Sequence, residues 1–333
     1  MFKRVSLLLL GLVCGLPLAF GQQGQAPEWK YGLEFRVRKA GEPDFTKDTQ
    51  RFGAEVFVDR GNNQGLLIDE GGGLSSLKTP PAGGKDILPP KWQHALEVKV
   101  RKAGEADFTD KTKKYSMEVF RDENSGHWVY ICETGAVAAV PATTGPTTGE
   151  PKAPKFLHGL ELKVRKGGEA DFTKDTKRYG IEVFRDENNG NLVYITETGA
   201  IAVVPGAAPP PGETKQPKWL HGLEFRVRKA DEPDFTKDTR NFGAEIYKDE
   251  NTNQLIYIVE TGALAVVPAG SISGGSDTKP PKWTHGLVLK CRKAGEADFT
   301  KDTKRFGVEV FQDPNTGMTV YITETGTLAV PAK

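Results

Sequence analysis

Residues 154–205 read PKFLHGLELKVRKGGEADFTKDTKRYGIEVFRDENNGNLVYITETGAIAVVP, and this pattern occurs five times in the chain. The opening aromatics of the copies, Trp29, Trp92, Phe156, Trp219 and Trp283, lie 63, 64, 63 and 64 residues apart. A fixed period of that length marks a repeat architecture, in which each copy is one structural unit.

Within the copy the signal is β. Leu160, Leu162 and Val164 alternate with Glu161, Lys163 and Arg165, the period of a half-buried strand. The GGEADFTKDTKRYG segment has turn residues at both ends and is expected to hold one short helical turn, capped by Asp171 and stopped by Gly180. A second strand follows over 179–185. DENNGN reads as a hairpin turn, because Asn and Gly tolerate positive φ. A third strand covers 192–196, Glu197-Thr198-Gly199 turns the chain, and a fourth strand runs over 200–204 to Pro205.

The fold class is therefore all-β, with five tandem four-stranded antiparallel meanders. They cover residues 27–77, 90–141, 154–205, 217–268 and 281–331. The first is degenerate in its second half, where Leu67, Gly71 and Gly73 stand for Tyr194, Thr198 and Ala200. The later strands are apolar on both faces: Ile181 and Val183 oppose Phe184, and Leu192 and Tyr194 oppose Val193 and Ile195. A lone sheet exposing either face would be unstable, so both must be covered. Two arrangements do this: small modules joined by linkers, or a five-bladed β-propeller. The Pro-, Gly-, Ser- and Thr-rich stretches between copies, such as GAAPPPGETKQ, favour linked modules. So do the whole copies at both ends.

The start of the chain has the pattern of a secretory signal peptide over residues 1–21. Lys3 and Arg4 precede an apolar run, and Ala19-Phe20-Gly21 is a small-x-small cleavage site. Cys14 follows Val13, with Gly11 three before it, which does not suit a lipid-anchor signal. The run is too short for a comfortable membrane span, and no later segment approaches the ~20 apolar residues one needs. The expected location is secreted or periplasmic. The formal net charge of +1 becomes −1 without Lys3 and Arg4, a balance that argues against non-specific nucleic-acid binding. Cys132 and Cys291 fall at unmatched positions of their repeats, as isolated buried thiols do and a disulfide framework does not.

Many recurring positions are polar. Arg165 and Lys166 at the end of strand one face, on this reading, Glu182 of strand two as a cross-strand pair. The alternative is a repeated site for an anion or an acidic partner. The loop residues Glu169, Asp171, Phe172, Thr173 and Thr176 suit either backbone bonding around a core Phe or a ligand-binding loop. Asp186-Glu-Asn188-Asn-Gly190 faintly matches the start of a calcium loop but lacks the full oxygen set, so it reads as a hairpin turn. One His per copy (His94, His158, His221, His285, with Tyr31 in the first) cannot supply the ligands of a zinc site. Trp219 and Trp283 suit core packing, or stacking on a sugar if exposed. No catalytic or cofactor motif stands out. The expectation is a non-catalytic, multivalent binding protein for a surface polysaccharide or protein partner. Its candidate ligand-binding residues are Arg165, Lys166, Glu169, Asp171, Thr173, Trp219 and Trp283. A structural spacer of the cell envelope is the alternative.

Overall fold

A computed structural model of the chain describes residues 25–78, 87–143, 145, 149–206, 212–270 and 278–332. The expected signal peptide, residues 1–21, and the middles of the linkers lie outside the described residues.

Each repeat forms one four-stranded antiparallel sheet with its strands in chain order. In the third, the strands are Lys155–Val164, Lys177–Arg185, Asn191–Thr196 and Ile201–Pro205. The sheets stand in a ring as the blades of a five-bladed propeller, with the first strand of each blade outermost. The fourth strands surround the axis and leave a narrow space of about 50 Å3, lined by small and apolar residues such as Ala138, Ala202, Ala265 and Ala329. Of the two expected arrangements the chain takes the ring. The two-faced strands explain why: each apolar cluster is shared by two blades. Phe225 and Tyr257 of blade 4 pack with Val320 and Ile322 of blade 5. Leu66 and Ile68 of blade 1 pack with Phe306 and Tyr321 of blade 5. That second cluster closes the ring without any blade being built from both chain ends. Each buried Leu, Ile or Phe contributes about 1.5–3 kcal/mol, so cohesion is spread over all five junctions.

The linkers do not separate the blades, because the returning chain is pinned. Asn188 of the hairpin turn in blade 3 accepts from the Lys152 main-chain N–H at 2.7 Å and donates to the Lys152 carbonyl at 3.0 Å. Asn124, Asn251 and Asn315 hold Leu88, Lys215 and Lys279 in the same way.

A register shift follows the opening aromatic in all five blades, between Trp219 and His221 in blade 4. Such a bulge breaks the alternation of the strand, leaving Trp219 at the outer rim and His221 buried in the junction. The loop 165–176 contains two isolated turns, closed by Glu169 N–H to Lys166 O and Thr176 N–H to Thr173 O, in place of the expected helical turn. Gly180 lies within the second strand rather than stopping a helix. Gly199 closes the last turn at φ 87°, and Gly72, Gly135, Gly262 and Gly326 do the same at 80–91°. A side chain is strained there. A Cβ on Gly199 would also lie 2.6 Å from Thr134 and 2.7 Å from Tyr115. Gly199→Ala should therefore lower the unfolding midpoint by the equivalent of at least ~1 kcal/mol, read by denaturant titration.

Candidate functional site

The recurring charges meet between blades, not within them. Arg165 places its Nε 2.6 Å from Glu245 Oε1 and an Nη 3.1 Å from Oε2. Glu245 belongs to blade 4. Glu182, the expected cross-strand partner of Arg165, is instead held by Arg101 of blade 2 at 2.7 Å. The strand-one residue opposite Glu182 is Gly159. The same bidentate pair recurs as Arg38–Glu118, Arg228–Glu309 and, across the closing junction, Arg292–Glu55. Bidentate guanidinium–carboxylate pairs are directional and strong, and here each fixes one blade against the next.

The aromatics complete this clamp. Phe172 does not enter the core: it is exposed and meets Trp219 of blade 4 edge to face, with ring centroids 5.8 Å apart. The Arg165 guanidinium lies 4.8 Å from the Phe172 centroid and 5.9 Å from that of Trp219. Trp219 Nε1 donates to Glu245 at 2.7 Å, yet the residue keeps 43% of its surface in solvent. Trp283 makes the equivalent contacts with Phe235 and Glu309 at the next junction. Phe45–Trp92, Phe108–Phe156 and Phe299–Trp29 repeat the pairing.

The histidines serve the junctions as well. His158 Nε2 is 2.9 Å from Asp249 of blade 4, and Tyr194 donates to the same carboxylate at 2.9 Å. His94–Asp186, His221–Asp313 and His285–Asp59 repeat the pair. In blade 1, Tyr31 donates to Asp122 at 2.6 Å, so a phenol does the work of the imidazole. This also accounts for Asp186 of the DENNGN turn: it accepts from His94, Tyr130 and Asn188. No group of three or more metal-ligating side chains occurs among the described residues.

Burial pushes the Asp59, Asp186, Asp249 and Asp313 carboxyls up, but hydrogen bonds from His, Tyr and neighbouring groups outweigh it. Each ends below its usual 3.8, Asp313 at about 2. A depressed folded pKa contributes stability above the unfolded value that is lost as pH falls through the folded one. Stability should therefore drop steeply from about pH 4 towards pH 2.

Asp69 behaves in the opposite sense. It sits where blade 3 has Thr196, buried, with Oδ1 accepting from the Gly71 and Gly73 N–H groups at 2.6 and 3.0 Å. Oδ2 is buried with no hydrogen-bond partner. Burial raises its pKa to about 6. The glycines that made repeat 1 look decayed make room for this carboxylate, since a Cβ on Gly73 would lie 1.9 Å from Asp69 Oδ2. The raised pKa costs stability as pH rises from 3.8 to about 6, by up to about 3 kcal/mol. Asp69→Asn should flatten that limb and raise the melting temperature at pH 7, as a calorimetric pH series would show.

Beside three of the clamps, at the 3/4, 4/5 and 5/1 junctions, the rim opens as a cleft. At the blade 3/4 junction, Arg165, Lys166 and Glu169 line a cavity of about 160 Å3 with Gly222, Glu224 and Glu245. The structure thus brings these three sequence-derived candidates together. Asp171 and Thr173 lie farther along the loop. Glu169 accepts from the Lys166 N–H at 2.9 Å, and Thr173 donates its N–H to Thr176 Oγ1 at 2.8 Å, so the loop satisfies much of its own polarity. Trp219 walls the same junction, whereas Trp283 belongs to the next. Cys132 and Cys291 are buried, free thiols, as expected.

No protein-family model matches this chain, and no curated protein matches it. Among solved structures it resembles virginiamycin B lyase from Staphylococcus aureus at 12% identity, over 91% of this chain and 74% of that one, with a TM-score of 0.12. A catalytically inactive variant of that enzyme with quinupristin gives 12% identity, 90% and 98% coverage and a TM-score of 0.11. Likeness at this level carries no inference about activity.

Proposed function

We propose that this chain is a secreted, non-catalytic binding protein that recognises a surface polysaccharide or protein through repeated sites on the propeller rim. The observation that carries the reading is the array of aromatic pairs at the rim, one per junction, with at least one ring exposed at four of the five. Exposed aromatics with a polar edge suit sugar and protein surfaces. Five rigidly spaced copies of a weak site gain avidity by effective concentration. The internal pairing of the recurring charges gives weight to the second reading, a scaffold without a small ligand. A closed ring supplies no length, however, so that scaffold would not be an extended spacer.

The test is a binding screen with envelope polysaccharides and surface-protein extracts. Phe45, Phe108, Phe172, Phe235 and Phe299 are changed to Ser singly and then together. One change should weaken binding about twofold, and all five by about a hundredfold or more, as avidity predicts. Equal binding by the fivefold variant, with its fold intact by circular dichroism, would sink the proposal.

A further inference from the structure

The five blade junctions are not equivalent at the rim, and the exception is the blade 4/5 junction. At the other four, a loop glycine donates its N–H to a Glu on the first strand of the next blade. The bonds are Gly41–Glu97, Gly104–Glu161, Gly168–Glu224 and Gly295–Glu34, at 2.6–2.8 Å. In three blades that carboxylate also meets a strand-two cation: Arg51, Lys114 or Arg178. In blade 5 the Glu is replaced by Val288, and Asp231 stands in place of the loop glycine. The cation is kept as Arg305, which reaches instead to Asp231 at 2.6 Å. Both partners of that pair are well exposed, Asp231 at 78% and Arg305 at 44%. An exposed pair of this kind holds by less than about 1 kcal/mol and is readily exchanged.

Loss of the built-in carboxylate leaves space. The cleft measures about 460 Å3, against about 160 and 210 Å3 at the 3/4 and 5/1 junctions. It is lined by Leu287, Val288, Pro233 and Pro27; of its cations Arg228 is held by Glu309, while Lys229 and Arg305 stand with Asp231 and Glu232 in the same lining. The volume lies in the range of small-molecule sites, which are mostly apolar with a few convergent polar groups.

We propose that this cleft binds one small carboxylate-bearing molecule. Its carboxylate takes the place that Glu34, Glu97, Glu161 and Glu224 fill elsewhere, against Arg305, and its body rests on Val288. This goes beyond the rim reading and depends on a different observation, so either can fail without the other. The source can be an aliphatic organic acid or a sugar acid, and the titration separates them.

Isothermal titration of the whole protein would use glutarate and D-glucuronate, with glutaramide and D-glucose as neutral counterparts. Saturable 1:1 binding of at least one acid is expected, about tenfold or more tighter than its neutral counterpart. Glutarate alone would mark an aliphatic acid as the ligand class, and D-glucuronate alone a sugar acid. Val288→Glu installs the residue of the other four blades and should remove binding without lowering the melting temperature. Arg305→Gln, an exposed change, should weaken binding at least about tenfold. Lack of saturable binding by both acids overturns the proposal. So does a stoichiometry near five, equal binding of the neutral counterparts, or unchanged binding by Val288→Glu.

Discussion

A fragment comprising residues 154–205 alone is expected not to fold. Its two apolar faces belong to different junctions. Phe184, Val193 and Ile195 pack with Val119, Tyr130 and other residues of blade 2. Ile181, Tyr194 and Leu192 pack with Tyr247, Ile256 and Ile258 of blade 4. In isolation both faces meet water, and the pairs Arg101–Glu182 and Arg165–Glu245 are absent. A two-faced four-stranded sheet cannot offset its chain entropy under those conditions. Circular dichroism and size-exclusion chromatography should find the fragment unfolded or aggregated, while the full chain melts in one cooperative transition. Cooperative unfolding of the monomeric fragment would falsify the account of a core shared between blades.

The largest effect of a single side chain is expected at Asp249. Its carboxylate is buried and takes bonds from His158, Tyr194, Thr252 and the Asn251 N–H. Asp249→Ala leaves those donors without their acceptor inside the junction of blades 3 and 4. Each buried donor left without its acceptor typically costs about 1–3 kcal/mol, and Asp249→Ala strands several at once. Asp249→Asn keeps one acceptor oxygen and should cost less. Asp175→Ala, on the exposed loop, should stay within about 0.5 kcal/mol of the wild type. Urea denaturation at pH 7 gives all three values. An Asp249→Ala midpoint close to that of Asp175→Ala would remove the buried His–Asp network as a source of cohesion.

The strands were legible because alternation such as Leu160-Glu161-Leu162-Lys163-Val164 depends only on neighbours along the chain. The need for partners was legible too, from apolar residues on both sides of 181–184 and 192–195. How the partners are arranged was less so. The low-complexity linkers suggested separation, yet one Asn in each hairpin of blades 2 to 5 holds the linker end to its own blade. The pairing of Arg165 could not be decided from sequence at all. Every copy offers the same Glu, so Glu182 and Glu245 are chemically indistinguishable as partners until the ring places one of them. The site candidates divide along the same line. Arg165, Lys166 and Glu169 meet in one cleft, but only after their loop is set against the neighbouring blade.

The residues that break the symmetry were visible as letters and invisible as chemistry. Val288 among four glutamates and Asp231 among four glycines are single differences in copies that vary elsewhere. They acquire meaning once Gly168 N–H is seen to meet Glu224, because that bond is what blade 5 cannot make. Asp69, where blade 3 has Thr196, is likewise a single changed letter in the first repeat. Its buried, half-satisfied carboxylate explains the run of glycines around it.

The closing junction, Arg292–Glu55 with His285–Asp59, uses the same Arg–Glu clamp as the other four and the same His–Asp pair as three of them. A seam made of ordinary joints gives the ring no obligatory first blade. Circular permutation should exploit this. If the ends are bridged by a copy of one native linker and the chain is opened within any other, each permuted polypeptide should rebuild the same ring. The order in which blades leave the ribosome would change, but the set of neighbours each blade finds would not.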